Sequence, residues 1–148
     1  MSDADCIAEP LTGSCLCGAV TITMRNTHRE VDICHCSMCQ QWTGSMYAGI
    51  EAPEFTITGE DHISVYQSSK WAERAFCKTC GSSLWFLFKP TGNRTFLAGM
   101  FDLPDDLPIK HQIFVDEKPG WYDLAQKSPM KTGSEIIAEA EAAGFTFD

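Results

Sequence analysis

The chain has no apolar run able to cross a membrane as a helix. Its longest, Leu84-Trp85-Phe86-Leu87-Phe88, falls far short of the roughly 20 residues a bilayer needs. It has no run of Lys or Arg either. Eleven basic residues stand against 20 acidic ones, a formal charge of −9, and such a surface repels phosphate backbones, which excludes nucleic acid as an expected partner. Lys70, Arg74 and Lys78 come nearest to a basic cluster and read as solvated surface. The opening MSDADCIAEP carries three acids and lacks a basic n-region and an apolar h-region. No secretory signal is therefore expected, and the expected location is the cytoplasm. No low-complexity tract, repeat or linker interrupts the 148 residues, which are expected to form a single domain with its own hydrophobic core.

Cysteine, by contrast, is abundant, with eight residues. Seven are grouped: Cys15-x-Cys17, Cys34-x-Cys36-x-x-Cys39 and Cys77-x-x-Cys80. Cys6 stands apart and is expected to be a disordered terminal thiol. In a secreted chain these groups would suggest a disulfide framework. A reducing compartment favours metal instead, and neighbours at i+2 and i+3 make strained disulfide partners. They suit zinc, which takes four ligands at tetrahedral corners, two from each short turn.

Periodicity places these groups on a β-rich scaffold. Residues 19–25 alternate, with Val20, Ile22 and Met24 on one face and Thr21, Thr23 and Arg25 on the other. Residues 31–34 are expected to be the hairpin partner of this strand across a polar turn at 26–30. Further strands are expected at 46–50, 55–58, 63–67, 72–76, 84–88, 95–98 and 111–115. Of these, 84–88 is apolar on both faces and therefore central. One helix is expected at about 133–143. Thr132-x-x-Glu135 forms its capping box, Ile136, Ile137 and Ala140 its apolar stripe, and Gly144 its stop.

Cys15-x-Cys17 and Cys77-x-x-Cys80 each end a strand and each precede a glycine, Gly18 or Gly81, which lets the backbone bend around a metal. Together they are expected to hold one structural zinc through Cys15, Cys17, Cys77 and Cys80. That ion would close a long loop, so stability should depend on it. Cys34, Cys36 and Cys39 then supply three thiolates with an open fourth position, the ligand count of a catalytic zinc. An incoming thiol would lose its proton at that corner and become a nucleophile. The alternatives are packed thiols without metal, or His35 as fourth ligand, although alternation turns its ring away from the flanking cysteines.

Gly13-Ser14-Cys15-Leu16-Cys17-Gly18-Ala19-Val20, Cys34-His35-Cys36-Ser37-Met38-Cys39 and Phe76-Cys77-Lys78-Thr79-Cys80-Gly81 together resemble the glutathione-dependent formaldehyde-activating enzyme family, which includes centromere protein V. The likeness continues through Ala98-Gly99-Met100-Phe101-Asp102 and Pro108-x-x-His111-x-x-Phe114-Val115 to Lys118 and Trp121, a core of about 13–122. The resemblance implies a mainly β, β-tent (Mss-like) fold of small antiparallel sheets with zinc knuckles. It also implies a structural zinc at Cys15, Cys17, Cys77 and Cys80, and a second, labile or catalytic zinc at Cys34, Cys36 and Cys39. The implied activity is that of a carbon–sulfur lyase joining glutathione to formaldehyde as S-hydroxymethylglutathione.

Gln40 and Gln41 follow the triplet, where family members commonly carry a basic residue. Gln40, Trp42 and Tyr47 are the candidates for a substrate wall, with core packing the stronger expectation for the two aromatics. His111 is expected to be a structural histidine and Asp102 a turn former. Two other classes fit the same residues. One is a non-enzymatic zinc module for protein partners. The other is a redox enzyme like the zinc-bearing methionine sulfoxide reductases, which needs a reactive free cysteine.

Overall fold

The computed structural model describes residues 5–147. It divides into two compact units. The first comprises Met1–Arg29 and Gly49–Leu107, the second Glu30–Ala48 and Pro108–Asp148. Among the described residues no helix is long and apolar enough to cross a membrane.

The first unit is antiparallel. β1 (Leu11–Ser14) and β5 (Glu54–Thr58) flank β2 (Thr21–Arg25). The alternation in β2 does what its pattern requires: Ile22 and Met24, with Val20 before them, are fully buried. A second sheet is a meander of β6 (Ile63–Ser69), β7 (Ala72–Cys77), β8 (Ser83–Phe88) and β9 (Asn93–Leu97). Beyond β9 lies the end of β4 (Tyr47–Ile50), whose Gly49 and Ile50 pair with Leu97 and Phe96. β8 is paired on both edges, the central position its two-sided apolar run predicts. The unit's core centres on Phe96, which meets Phe55, Trp85 and Phe101 edge-on at centroid distances of 5.2, 6.1 and 6.4 Å.

In the second unit β3 (Val31–Cys34), β10 (Ile109–Ile113) and β11 (Met130–Lys131) run parallel, with β10 in the middle. The expected hairpin between β2 and β3 does not form. Both edges of β2 are taken, by β1 and β5, and β3 pairs with β10 instead, Ile33 opposite Gln112 and Cys34 opposite Ile113. Two helices complete the unit, α1 (Ser37–Thr43) and α2 (Gly133–Ala142). α2 starts as predicted: the Glu135 N–H donates to Thr132 Oγ1 at 3.3 Å and the Thr132 N–H to Glu135 Oε1 at 3.2 Å. Its stripe is narrower than expected, since Ile137 faces solvent while Ile136 and Ala140 are half-buried.

Three smaller expectations are corrected. Arg74 is 6% exposed, not surface; its guanidinium lies 5.2 Å from the Phe86 ring centroid and its Nε–H donates to Ser68 Oγ at 3.3 Å. Lys70 and Lys78 are exposed as expected. Cys6 is not a disordered tail thiol but forms a β-bridge with His28. Asp102 is exposed in irregular chain, and the turn falls at Asp105-Asp106.

Gly59 shows where the fold tolerates no side chain. Its φ is +82°, and a Cβ there would stand 1.9 Å from the Ala19 carbonyl oxygen. Gly59→Ala is expected to destabilise the protein by about 3 kcal/mol, through left-handed strain and displacement of the strand entry. Urea unfolding measures it, and a loss below about 0.5 kcal/mol, the range of ordinary surface changes, would contradict the assignment.

Candidate metal centres

The first site is built on two matching turns. In one, the Cys15 N–H donates to the Val20 carbonyl at 3.0 Å and the Gly18 N–H to the Cys15 carbonyl at 3.1 Å. In the other, the Cys77 N–H donates to the Ser82 carbonyl at 2.9 Å and the Gly81 N–H to the Cys77 carbonyl at 2.7 Å. Gly18 and Gly81 both adopt φ of 80°, in the left-handed region where glycine costs least. Each turn folds its two sulfurs toward one point.

The sulfurs of Cys15, Cys17, Cys77 and Cys80 all lie within 4.8 Å of one another. Tetrahedral zinc with zinc–sulfur bonds of about 2.3 Å separates its sulfurs by about 3.8 Å. The Cys15–Cys17 and Cys17–Cys77 separations are 3.7 and 3.8 Å. The residues present therefore fit a tetrathiolate metal, and no disulfide competes for them among the described residues.

Backbone and hydroxyl donors surround these sulfurs. The Val20 N–H donates to Cys15 Sγ at 3.3 Å. Ser82 links the two turns: its hydroxyl is 3.2 Å from Cys80 Sγ and accepts from the Leu16 N–H at 3.0 Å. That hydroxyl, with the Ser82 and Cys17 backbone amides, lowers the Cys80 thiol to about 5. The Ala19 N–H pulls Cys17 down, but desolvation and the Cys15, Cys80 and Cys77 sulfurs raise it to about 11. Burial pushes Cys15 up, but the Val20 N–H and the Cys17 and Cys77 sulfurs leave it below the usual thiol value. The cluster is thus prepared to hold negative charge at some sulfurs but not at all four together, until a cation shares the site. Ser82 is the contributor that sequence reasoning missed. A serine two residues after a Cys-x-x-Cys turn is a weak signal that gains meaning only once the turn closes.

The second group is held by β3 and α1. The sulfurs of Cys34, Cys36 and Cys39 also lie within 4.8 Å of one another, and no fourth His, Cys, Asp or Glu donor joins them among the described residues. Cys36 caps α1, its sulfur accepting from the Cys39 N–H at 3.3 Å. Gly44 closes the helix at φ 94°. The Cys36 and Cys39 sulfurs, then burial, push the Cys34 thiol far above the ordinary range. The two neighbouring sulfurs keep the Cys34 thiol protonated, and a dication would reverse that preference.

His35 does not reach this triplet. Its ring nitrogens face Gln112 and Tyr122, which removes it as a fourth ligand. The Gln40 side-chain amide donates to the His35 and Glu117 carbonyls at 2.7 and 2.9 Å. Trp42 and Tyr47 stack with centroids 5.9 Å apart, and Tyr47 is buried, which matches the packing expectation. His111 Nε2 lies 3.2 Å from Asp32 Oδ1, a structural arrangement on the β3–β10 pair.

A sequence profile described as glutathione-dependent formaldehyde-activating enzyme matches residues 10–117. An uncharacterized lyase of Schizosaccharomyces pombe is 31% identical over 127 residues, 84% of this chain and 93% of the relative. A Halomonas elongata protein provisionally named a glutathione-dependent formaldehyde-activating enzyme is 28% identical over 130 residues, covering 79% of this chain and 82% of its own length. The crystal structure of a Rhodobacter sphaeroides protein superposes with a TM-score of 0.53 at 22% identity, covering 67% of this chain and 99% of that one, which supports the fold. With both cysteine groups inside the matched stretch, the chain belongs to the glutathione-dependent formaldehyde-activating enzyme family.

Proposed function

We propose that the chain is a zinc-dependent carbon–sulfur lyase acting on adducts of a small thiol and an aldehyde, with glutathione and formaldehyde the leading pair. In this reading Cys15, Cys17, Cys77 and Cys80 hold a structural zinc, and Cys34, Cys36 and Cys39 a second, more labile one. The observation that carries it is the converging triplet with His35 turned away, three protein donors rather than four. The family description and the names of the two relatives support the reaction class. Cysteine groups spaced for a metal rather than for disulfides fit a reducing compartment, which we take to be the cytoplasm.

In the synthetic direction the thiol sulfur forms a bond to the aldehyde carbon, and the thiol proton ends on the former carbonyl oxygen. The lyase direction reverses both changes. Zinc, when bound, supplies a Lewis-acidic corner at which a thiol gives up its proton readily. The protein's own contribution is placement. Buried Cys39 anchors the triplet from α1, while half-buried Cys34 and Cys36 leave one side approachable. The uncatalysed addition proceeds in water, so holding sulfur and carbonyl carbon in reach of each other is a main source of acceleration.

Elemental analysis of the purified chain is expected to find about two zinc ions, falling to about one after dialysis against glutathione. A steady single ion would remove the labile site and favour a binding module. Adduct formation from glutathione and formaldehyde should run faster with the protein than without it. Cys36→Ser should return it to the uncatalysed rate, and equal rates with and without the native protein would sink the catalytic reading. At the structural site, Cys77→Ser is expected to lose the ion and lower the melting temperature by roughly 10 °C or more. Ser82→Ala, which removes one donor and one acceptor beside the sulfurs, should weaken zinc retention against a chelator by about 10-fold.

A further inference from the structure

Every polar group of His35, the residue between Cys34 and Cys36, is committed. Its N–H donates to the Ile113 carbonyl at 3.0 Å, and its carbonyl accepts from the Gln40 amide at 2.7 Å. Its ring is 0% exposed, with Nε2 2.9 Å from Gln112 Oε1 and Nδ1 2.7 Å from the Tyr122 hydroxyl.

Neighbouring bonds fix the ring's tautomer. The Ser128 hydroxyl donates to the Pro129 carbonyl at 3.2 Å, so its oxygen is left to accept from Gln112 Nε2 at 3.1 Å. Gln112 therefore turns its carbonyl oxygen to His35, and that oxygen needs a donor, which places the ring proton on Nε2. Nδ1 is left as a lone pair, and Tyr122 donates to it. The Lys118 ammonium, 5.0 Å from the Tyr122 ring centroid, strengthens the phenol as a donor.

We propose that His35 is a positioning residue for the second metal. It acts as a clamp, tied to β10 by Ile113 and Gln112, to Tyr122 and to α1 by Gln40, that fixes the spacing of the Cys34, Cys36 and Cys39 sulfurs. This rests on the reading of the triplet as a metal site. In extended chain the side chains at i and i+2 point one way and the one between points the other, so anchoring His35 sets the direction of both flanking sulfurs. Cys39 is drawn into the same frame through α1. Gln40 of that helix also donates to the Glu117 carbonyl at 2.9 Å, and the Ser37 N–H donates to Glu117 Oε1 at 3.0 Å. The clamp also gives glutamine at position 40 a role of its own, a neutral amide shared between two backbone carbonyls.

Cobalt(II) titration of the full chain against a chelator, followed through the thiolate-to-cobalt absorption, tests the clamp. Tyr122→Phe removes only the hydroxyl at Nδ1, and Gln40→Met removes the amide donor while keeping its length. In both variants the first equivalent should bind as in the native chain, and affinity for the second should fall about 10- to 100-fold. Nitrogen-15 spectra of histidine-labelled native protein should show His35 protonated at Nε2, with shifts unmoved when the second equivalent binds. A second equivalent unaffected in both variants overturns the clamp, as does parallel weakening of both equivalents, which marks a general structural role. A His35 signal that moves to that of a metal-bound imidazole overturns it too. A native chain that takes no second equivalent overturns the metal reading of the triplet, and the clamp with it, whereas a native second equivalent with unaffected variants leaves that reading standing.

Discussion

Sulfur crowding is the constraint on which this molecule turns. The fold brings four thiols within 4.8 Å of one another, Cys17 lying 3.7 Å from Cys15 and 3.8 Å from Cys77, and three more into a second group. At such spacing each ionised sulfur raises the cost of ionising its neighbours, and a dication removes that cost at once. The first group joins residues 60 apart in sequence, Cys17 and Cys77, so closing it excludes many conformations of the chain between them. A tetrathiolate adds negative charge to a chain already at −9. Its amide and hydroxyl donors, from Val20, Leu16 through Ser82, and Cys17, are how the surrounding chain accommodates that charge.

The parts legible in the sequence were those whose cause is local. Val20, Ile22 and Met24 declare a half-buried strand by alternation, Leu84–Phe88 a central one by lacking it, and Thr132 with Glu135 a helix start. The cysteine groups were legible because metal geometry restricts spacing within a single turn. What stayed hidden depends on distant partners. β1 is Leu-Thr-Gly-Ser, with too little apolar pattern to stand out, yet it takes the edge of β2 that β3 was expected to fill. β3 pairs with a strand 79 residues on, Ile33 opposite Gln112 and Cys34 opposite Ile113, and no local pattern announces a parallel partner. α1 is seven residues with middling helix propensity, held by the Cys36 cap, by Gly44 and by Gln40 and Ser37 bonding to the Glu117 region.

The two cysteine groups differ in kind as well as in number. The tetrad is closed: four sulfurs, donors on their outer sides and two glycine turns of matching shape. The triplet has three sulfurs and a histidine that sequence position would offer as the fourth. Burial alone would not keep that histidine away, since an imidazole rotates readily about its side-chain bonds. Two ring hydrogen bonds of opposite sense, one donated to Gln112 and one accepted from Tyr122, do keep it away. A metal reaching Nδ1 would have to displace the Tyr122 hydroxyl. That the triplet offers three protein donors and not four thus follows from the residues around it.

In the proposed reaction an acidic chain meets an anionic thiol at an electrostatic disadvantage. The field at −9 slows the approach of such a substrate, and Gln40, at the place where a cation would help, has both amide hydrogens bound to backbone carbonyls. Lys118, which follows the Glu117 that Gln40 bonds, is paired with Asp123 at 2.8 Å. Electrostatic attraction is therefore a poor candidate for the source of rate. The reaction asks for little of it, because thiol and aldehyde combine unaided and the gain lies in a deprotonated sulfur held at the right distance. A rigid three-sulfur site serves that need better than a basic pocket, and it does so without requiring that the thiol carry any particular charge. In the proposed reaction, rigidity at Cys34-His35-Cys36, rather than the sign of the surrounding surface, supplies the placement.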